Sequence, residues 1–325
     1  MDIEVFAKLR GRKQTAWAEL LRRTQLECDS NVDTTILIWD GDALAATGSR
    51  KGNLLKCIAV DPGYQGQDLT ATVLTQLRQD AFGAGYKHLF LYTKPKNKLQ
   101  FTSLFFYSVA QTEEVLLMES KQHGIQSFLD RLPAVSGGDS VGALVMNCNP
   151  FTLGHRHVIE TAAKECDRVY VFVLSEDLSQ FPAEDRLQLV KDGTKDLPNV
   201  TVYPTGPYLI SSATFPTYFL KDREQAGLVQ CQLDIAIFTQ YFISKFGITL
   251  RYVGTEPTSP LTNAYNEALK AHLPIPVREI SRLEADGAPI SASTVRSLLG
   301  TNQPELLKKL VPATTFAYLE KNTLI

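Results

Sequence analysis

Cysteine is scarce in this chain, and its pattern excludes more than its number does. The five cysteines (Cys28, Cys57, Cys148, Cys166 and Cys231) form no C-x-x-C pair and are odd in number, which favours reduced thiols over a disulfide framework. An excess of charge is also missing. Lys and Arg number 33 against 35 Asp and Glu, and a net charge of -2 argues against non-specific nucleic-acid binding. No window approaches the roughly 18 consecutive apolar residues of a membrane span, and no basic-then-apolar leader is evident. Internal repeats and low-complexity stretches are absent as well. These absences together predict a soluble, cytoplasmic protein with no nucleic-acid or membrane partner.

What is present is enough chain for two ordinary domains: 325 residues, 44% of them apolar and 21% charged. Residues 132–140 are rich in turn formers and poor in apolar periodicity, so they read as a linker between a domain at 1–131 and another at 141–325. In the first, residues 34–39 and 53–60 read as antiparallel strands flanking an Asp40-Gly41-Asp42 turn. Residues 68–82 read as a helix with one apolar face, and residues 87–93 and 115–118 as further strands. That order is α+β.

In the second, strands at 141–145, 169–174, 200–203, 248–253 and 275–280 alternate with helical stretches. Such alternation implies right-handed crossovers and a doubly wound, Rossmann-like parallel sheet, with ligands at the carboxyl ends of its strands.

The most informative stretch lies at one of those ends. Asn147, Asn149, Pro150, Phe151, Thr152, Gly154 and His155 follow the first of these strands and open a helix. Strand, tight turn and helix start form a ready phosphate cradle, to which His155 adds a donor and Thr152 a hydroxyl. A second candidate is Gly254-Thr255-Glu256-Pro257 after the strand at 248–253, where exposed amides suit an adenine edge or a ribose. A third is Ser291, Ser293, Thr294 and Arg296, a capped helix start with a guanidinium one turn in. A fourth is Arg186, a candidate phosphate clamp on a short helix. Taken singly, each also reads as an ordinary capped turn or a solvated charge. Jointly, and in this order, they suggest one site for a phosphate-rich ligand. Cys148 has no evident base beside it, so no covalent role is expected of it.

Asn149-Pro150-Phe151-Thr152-Leu153-Gly154-His155, followed by Ile290-Ser291-x-Ser293-x-Val295-Arg296, resembles the HxGH nucleotidyltransferase superfamily. Thr152 stands where that superfamily most often has its first histidine, which leaves His155 as the main catalytic donor. Residues 211–221, Arg251-Tyr252-Val253-Gly254-Thr255-Glu256-Pro257 and Tyr265-Asn266-Glu267 narrow the likeness to the citrate lyase ligase family.

That resemblance implies an ATP-dependent acid–thiol ligase. It would form acetyl-adenylate from acetate and ATP, then acetylate the phosphoribosyl-dephospho-coenzyme A thiol on the acyl carrier subunit of citrate lyase. It further implies His155, Thr152 and Arg296 as catalytic groups, and Mg2+ held mainly by the nucleotide and water. The alternative reading is an adenylyltransferase acting on a mononucleotide or a phosphopantetheine-type substrate.

In that family the N-terminal half resembles a GNAT-type acetyltransferase domain, with Gln65-Gly66-Gln67-Asp68-Leu69-Thr70 as its acyl-CoA pyrophosphate loop. Asp68 and Thr70 stand where further glycines are usual, and Asp68 sets a negative charge near a pyrophosphate. The expectation is therefore a domain that docks a coenzyme-A-like arm and is not itself an active acetyltransferase.

Overall fold

A helix buries the stripe Leu69, Val73, Leu74, Leu77 and Ala81 against the first sheet of the computed structural model. The structure describes residues 1–135, 137–176, 179–209, 215–220, 225–255 and 260–325. Contact is close enough that a Cβ on Gly48 would lie 2.4 Å from Val73 Cγ1, so only glycine fits beneath this helix.

The chain forms two units, one of Met1–Ser127 with Pro216–Val229, the other of Phe128–Phe215 with Gln230–Ile325. The first holds β1 (Asp2–Phe6), α1 (Gly11–Arg23), β2 (Thr34–Asp40), β3 (Ala43–Lys51), β4 (Leu54–Val60), α2 (Leu69–Gly83), β5 (Phe90–Thr93), α3 (Lys98–Ser103), β6 (Tyr107–Gln111), β7 (Leu116–Glu119) and, at its end, α4 (Gly124–Leu129). The strand order is β1-β2-β3-β4-β5-β7-β6. All neighbours are antiparallel except β4 and β5, which pair in parallel at only Leu54↔Phe90 and Leu55↔Leu91 before parting.

The Asp40-Gly41-Asp42 turn does not join the two strands expected around it. It leads from β2 into β3, and β3 pairs with both β2 and β4.

The second unit alternates strands and helices as expected. Its elements are β8 (Val141–Met146), α5 (Leu153–Glu165), β9 (Arg168–Val173), α6 (Ala183–Gly193), β10 (Val200–Pro204), α7 (Ala226–Ile237), α8 (Ser244–Phe246), β11 (Leu250–Gly254), α9 (Pro260–His272) and β12 (Val277–Ile280). A short hairpin, β13 (Glu284–Ala285) and β14 (Ala288–Pro289), precedes α10 (Ala292–Leu298), α11 (Pro304–Lys308) and α12 (Ala313–Lys321).

The five strands are all parallel, in the order β10-β9-β8-β11-β12. The chain winds outward from β8 to β10, then returns to the far side of β8 as β11. The crevice between the ends of β8 and β11 is the topological switch point, where such sheets bind ligands.

Residues 132–140, read as a linker, are tied to this unit. Tyr170 receives the Val135 N–H (2.9 Å), Pro133 O accepts from Tyr203 (2.7 Å), and Asp167 accepts from the Asp139 and Ser140 amides. No helix among the described residues is long and apolar enough to cross a membrane.

Candidate active site

After β8 the chain turns through Cys148, whose φ is 51°, and a cis Asn149–Pro150 bond, then enters α5 with Thr152 as its N-cap. Thr152 is buried and its hydroxyl is fully engaged. It accepts from the His155 backbone N–H (3.3 Å) and lies 2.9 Å from His155 Nδ1, which also accepts the Thr152 backbone N–H (3.1 Å). This is a capping box with a histidine in the place of the usual Glu or Gln. Thr152 therefore orients His155, in place of the expected contact with ligand oxygens.

Because Nδ1 accepts, the neutral ring carries its proton on Nε2 and offers that N–H as a donor. The imidazole also stacks on buried Phe151, with ring centroids 6.1 Å apart and planes 14° from parallel. Burial, and then the charge of Arg282, push the His155 pKa down to about 4. At neutral pH His155 is thus a hydrogen-bond donor and carries no charge. Among the described residues, Arg282 brings positive charge to bear on it.

The first turn of α5 has one amide to spare. Leu153 N–H goes to Leu310 O (2.9 Å) and His155 N–H to Thr152, whereas the Gly154 N–H has no partner among the described residues. Gly154 is small because Ile290 is close: a Cβ there would lie 3.0 Å from the Ile290 carbonyl oxygen. That approach brings the start of α10 beside the start of α5.

At α10, Ser291 accepts the Thr294 N–H (3.1 Å), and Arg296 donates to Asn149 O (2.5 Å) and to Ser293 Oγ (3.2 Å). The two separated sequence motifs are therefore physically joined through Gly154–Ile290 and Asn149–Arg296.

Arg186 has a different role from the phosphate clamp expected of it. It is completely buried, and donates to Phe181 O (3.0 Å), Asn147 O (2.8 Å), Asn147 Oδ1 (2.7 Å), Leu174 O (2.9 Å) and Glu176 O. Its guanidinium is a strut that ties the turn after β8 to the end of β9, with no face left for a phosphate. Asn147 is correspondingly pinned by Arg186, and Asn149 Oδ1 accepts the Phe181 N–H (3.1 Å). Pro150 and Phe151 are buried, and Gly193 lies so near Phe151 that a Cβ would sit 2.5 Å from its ring. These residues shape the turn from behind. Cys148 is buried in it, and burial pushes its thiol pKa up, which keeps it inert.

Across the switch point, Gly254 O accepts from Asn266 Nδ2 (2.9 Å), and Thr255 meets a residue the sequence reading passed over. Arg282, just beyond β12, donates Nε–H to Thr255 O (2.7 Å) and its backbone N–H to Thr255 Oγ1 (3.1 Å). Its charge reaches His155. The sequence did hold a signal, an Arg at the carboxyl end of a parallel strand, like the turns after β8 and β11. Glu256 and Pro257 lie outside the described residues.

The arrangement offers an Nε2–H donor, an amide, and two guanidinium groups around one crevice. Together these suit stabilisation of charge on a phosphoryl group in transfer.

Residues 141–319 match the citrate lyase ligase C-terminal domain family. The chain is 38% identical over 316 residues to a citrate (pro-3S)-lyase ligase of Klebsiella pneumoniae, covering 94% of this chain and 92% of the relative. It is 36% identical to one from Escherichia coli strain K12, covering 98% and 94%. Among solved structures, Escherichia coli ElaA superposes with a TM-score of 0.34 at 13% identity, over 37% of this chain and 99% of that one. The NadR protein in complex with NAD and AMP-PNP superposes with a TM-score of 0.35 at 18% identity, over 55% of this chain and 46% of that one.

Proposed function

This chain belongs to the citrate lyase ligase family, and we propose that it activates citrate lyase by ATP-dependent acetylation through an acetyl-adenylate. In the first step an oxygen of acetate attacks the α-phosphorus of ATP, and the bond to the β-phosphate oxygen breaks. Pyrophosphate leaves with the electron pair. In the second, the thiol of the carrier subunit's phosphoribosyl-dephospho-coenzyme A group attacks the acetyl carbonyl, its proton passes to solvent, and AMP leaves. Mg2+ enters as part of the substrate, on the triphosphate, where it keeps most of its water.

The observation that carries this reading is the Thr152–His155 coupling. A ring held at Nδ1 presents Nε2–H in a fixed direction, at the first turn of α5 beside the Gly154 amide. Neutral donors placed before the reaction stabilise a pentacoordinate phosphorus without reorganisation. Arg296 and Arg282 supply positive charge for the pyrophosphate, a role that phosphoryl chemistry demands more than it demands a protein nucleophile.

Isotopic ATP–pyrophosphate exchange tests the proposal. Exchange that requires acetate is the expected result. Exchange that requires a mononucleotide or a phosphopantetheine substrate would overturn it in favour of an adenylyltransferase.

A further inference from the structure

Arg251 and Tyr265, from the two motifs that the chemistry above leaves without a task, come together inside the second unit. Arg251 lies in β11, where its backbone pairs with Ala143 of β8 and Val277 of β12. Its neighbour Tyr252 belongs to the core that Ile159 and Ala162 of α5 complete. Successive side chains of a strand take opposite faces, so Arg251 points away from α5. There its guanidinium lies over the ring of Phe238, the residue after α7, 4.6 Å from the centroid. Arg251 is only 3% exposed, yet its Nε and Nη1 have no hydrogen-bond partner among the described residues. A buried cation with bare donors is strongly disfavoured, and an anion that fills them removes the cost.

The carboxylate whose charge reaches Arg251 does not fill them. Asp234, one turn before Phe238, is buried and accepts the Tyr265 hydroxyl at Oδ2. Around Tyr265 the surroundings are apolar: Cys231, Ile235, Ala268, Leu269 and Val253. One cation over a flat ring, in apolar surroundings, suits a singly charged carboxylate with a short apolar tail. A phosphate dianion would bring more charge than a single guanidinium balances. Position favours the same ligand. α7 precedes β11 in a parallel sheet and runs against it, so Asp234 lies nearer the carboxyl ends of the strands than Phe238 does. Displacement at phosphorus sets the attacking and leaving oxygens on opposite sides. With His155 and Arg296 on the α5 side of the crevice, the α7 side is left for the attacking acid.

We propose that Arg251 binds the carboxylate of the acid that is activated, with Phe238 packed beneath the pair. The inference rests on the acetyl-adenylate reading above and deepens it, by naming the residue that receives the second substrate of the first step. Asp234 accommodates the new charge. Burial already raises it to about 6 against the pull of Tyr265 and Arg251, and a carboxylate arriving beside it raises it further, so a proton joins it. The other ionisable groups there stay protonated: burial lifts the Cys231 thiol to about 12 and holds the Tyr265 phenol well above its ordinary value.

Titration of the full chain with acetate, without nucleotide, tests this by NMR of the Arg251 Nε–H group, which Arg251→Lys identifies by its loss. Acetate should move that resonance saturably, and chloride at equal concentration should leave it in place. In acetate-dependent exchange, Arg251→Gln should raise KM for acetate by about 10- to 100-fold, the worth of a charge-assisted hydrogen bond. KM for ATP should stay within about twofold. Arg251→Lys keeps the charge and should fall between wild type and Arg251→Gln. Should Arg251→Gln fail to fold, the wild-type titration decides alone.

A resonance that acetate does not move, or that chloride moves equally, would overturn the inference. So would an unchanged KM for acetate in a folded Arg251→Gln protein. Exchange by the wild-type protein, run alongside, separates the two readings. Acetate-dependent exchange with an unmoved Arg251 resonance sinks this inference alone. A saturable acetate shift without acetate-dependent exchange sinks the adenylation reading and leaves the carboxylate site standing.

Discussion

His155 Nδ1 lies 2.9 Å from the Thr152 hydroxyl, and that hydroxyl in turn accepts the His155 backbone N–H. The N-cap and the proposed catalytic donor are thus one unit, in which the group that starts the helix also fixes the ring. Thr152→Val keeps the volume and deletes the hydroxyl. It should lower kcat by about 10- to 100-fold, the usual cost of losing a partner that orients a ring, with little change in KM for ATP. Thr152→Ser should restore most of the loss. His155→Ala should raise the barrier by about 2–4 kcal/mol. Steady-state kinetics decide, and an unchanged kcat in either Thr152→Val or His155→Ala removes the donor role.

Gly154→Ala tests the joint between the two motifs. The new methyl carbon would meet the Ile290 carbonyl oxygen at 3.0 Å, a backbone atom with little room to yield. The expected cost is about 1 kcal/mol of stability, with a larger proportional loss of activity, because Ile290 leads directly into Ser291 and Arg296. Wild-type exchange rates in this variant would show that the approach is incidental.

Arg186 should fail as a structural residue and not as a ligand. Arg186→Leu strands four carbonyls and an amide oxygen in the interior, so a loss of about 3 kcal/mol or more is expected in urea unfolding. A stable variant with a raised KM for ATP would instead restore the phosphate-clamp reading.

Arg282→Ala should do two things at once. It should lower kcat by about tenfold or more, through lost charge at the pyrophosphate. It should also raise the His155 pKa toward ordinary values, since the Arg282 charge opposes protonation there. Histidine NMR titration reads the second effect. A displaced kcat without a displaced titration would place Arg282 away from His155.

The pH dependence has a definite sign. His155 is held at about 4 in the folded chain, against about 6.5 when unfolded, so the unfolded chain binds the extra proton between these values. The His155 contribution to stability is complete above ~6.5 and is lost as pH falls through about 4. Asp234 acts oppositely: burial raises it to about 6, so its contribution is complete at low pH and is lost as pH rises through that value. Comparing wild type with His155→Gln isolates the first effect. Wild type should lose urea resistance relative to the variant as pH drops from ~6.5 toward 4. Parallel curves would show that His155 is not held neutral.

How much of this was legible depends on where the physical cause resides. The strand, turn and helix around Asn147–His155 carry their own signals: a short apolar run, a Pro, a capping Thr and a Gly. β3 was illegible because Ala45, Ala46, Gly48 and Ser49 are poor strand formers and leave Thr47 isolated among them. Tertiary partners hold them, through bonds such as Thr47 Oγ1 to Ile36 O (2.8 Å) and Thr35 to Ser49 (2.9 Å). Arg186 sits in a charged run that reads as solvated or ligand-binding, and the carbonyls that bury it come from two other elements. Arg282 lies two residues beyond the strand signal at 275–280. Tyr218 had no local signal at all, since its partners are about 125–160 residues earlier.

The segment Pro216–Val229 gives the chain an unusual inheritance pattern. Cutting the sequence between its halves yields no complete first unit, because Tyr218 and Phe219, which line a cavity of about 680 Å3 in that unit, are encoded beyond β10. Neither half can then be exchanged, by recombination or in the laboratory, as a contiguous block. A graft of the first unit onto another protein has to bring residues 216–229 with it, and a truncation at the apparent boundary removes a wall of the cavity it was meant to isolate.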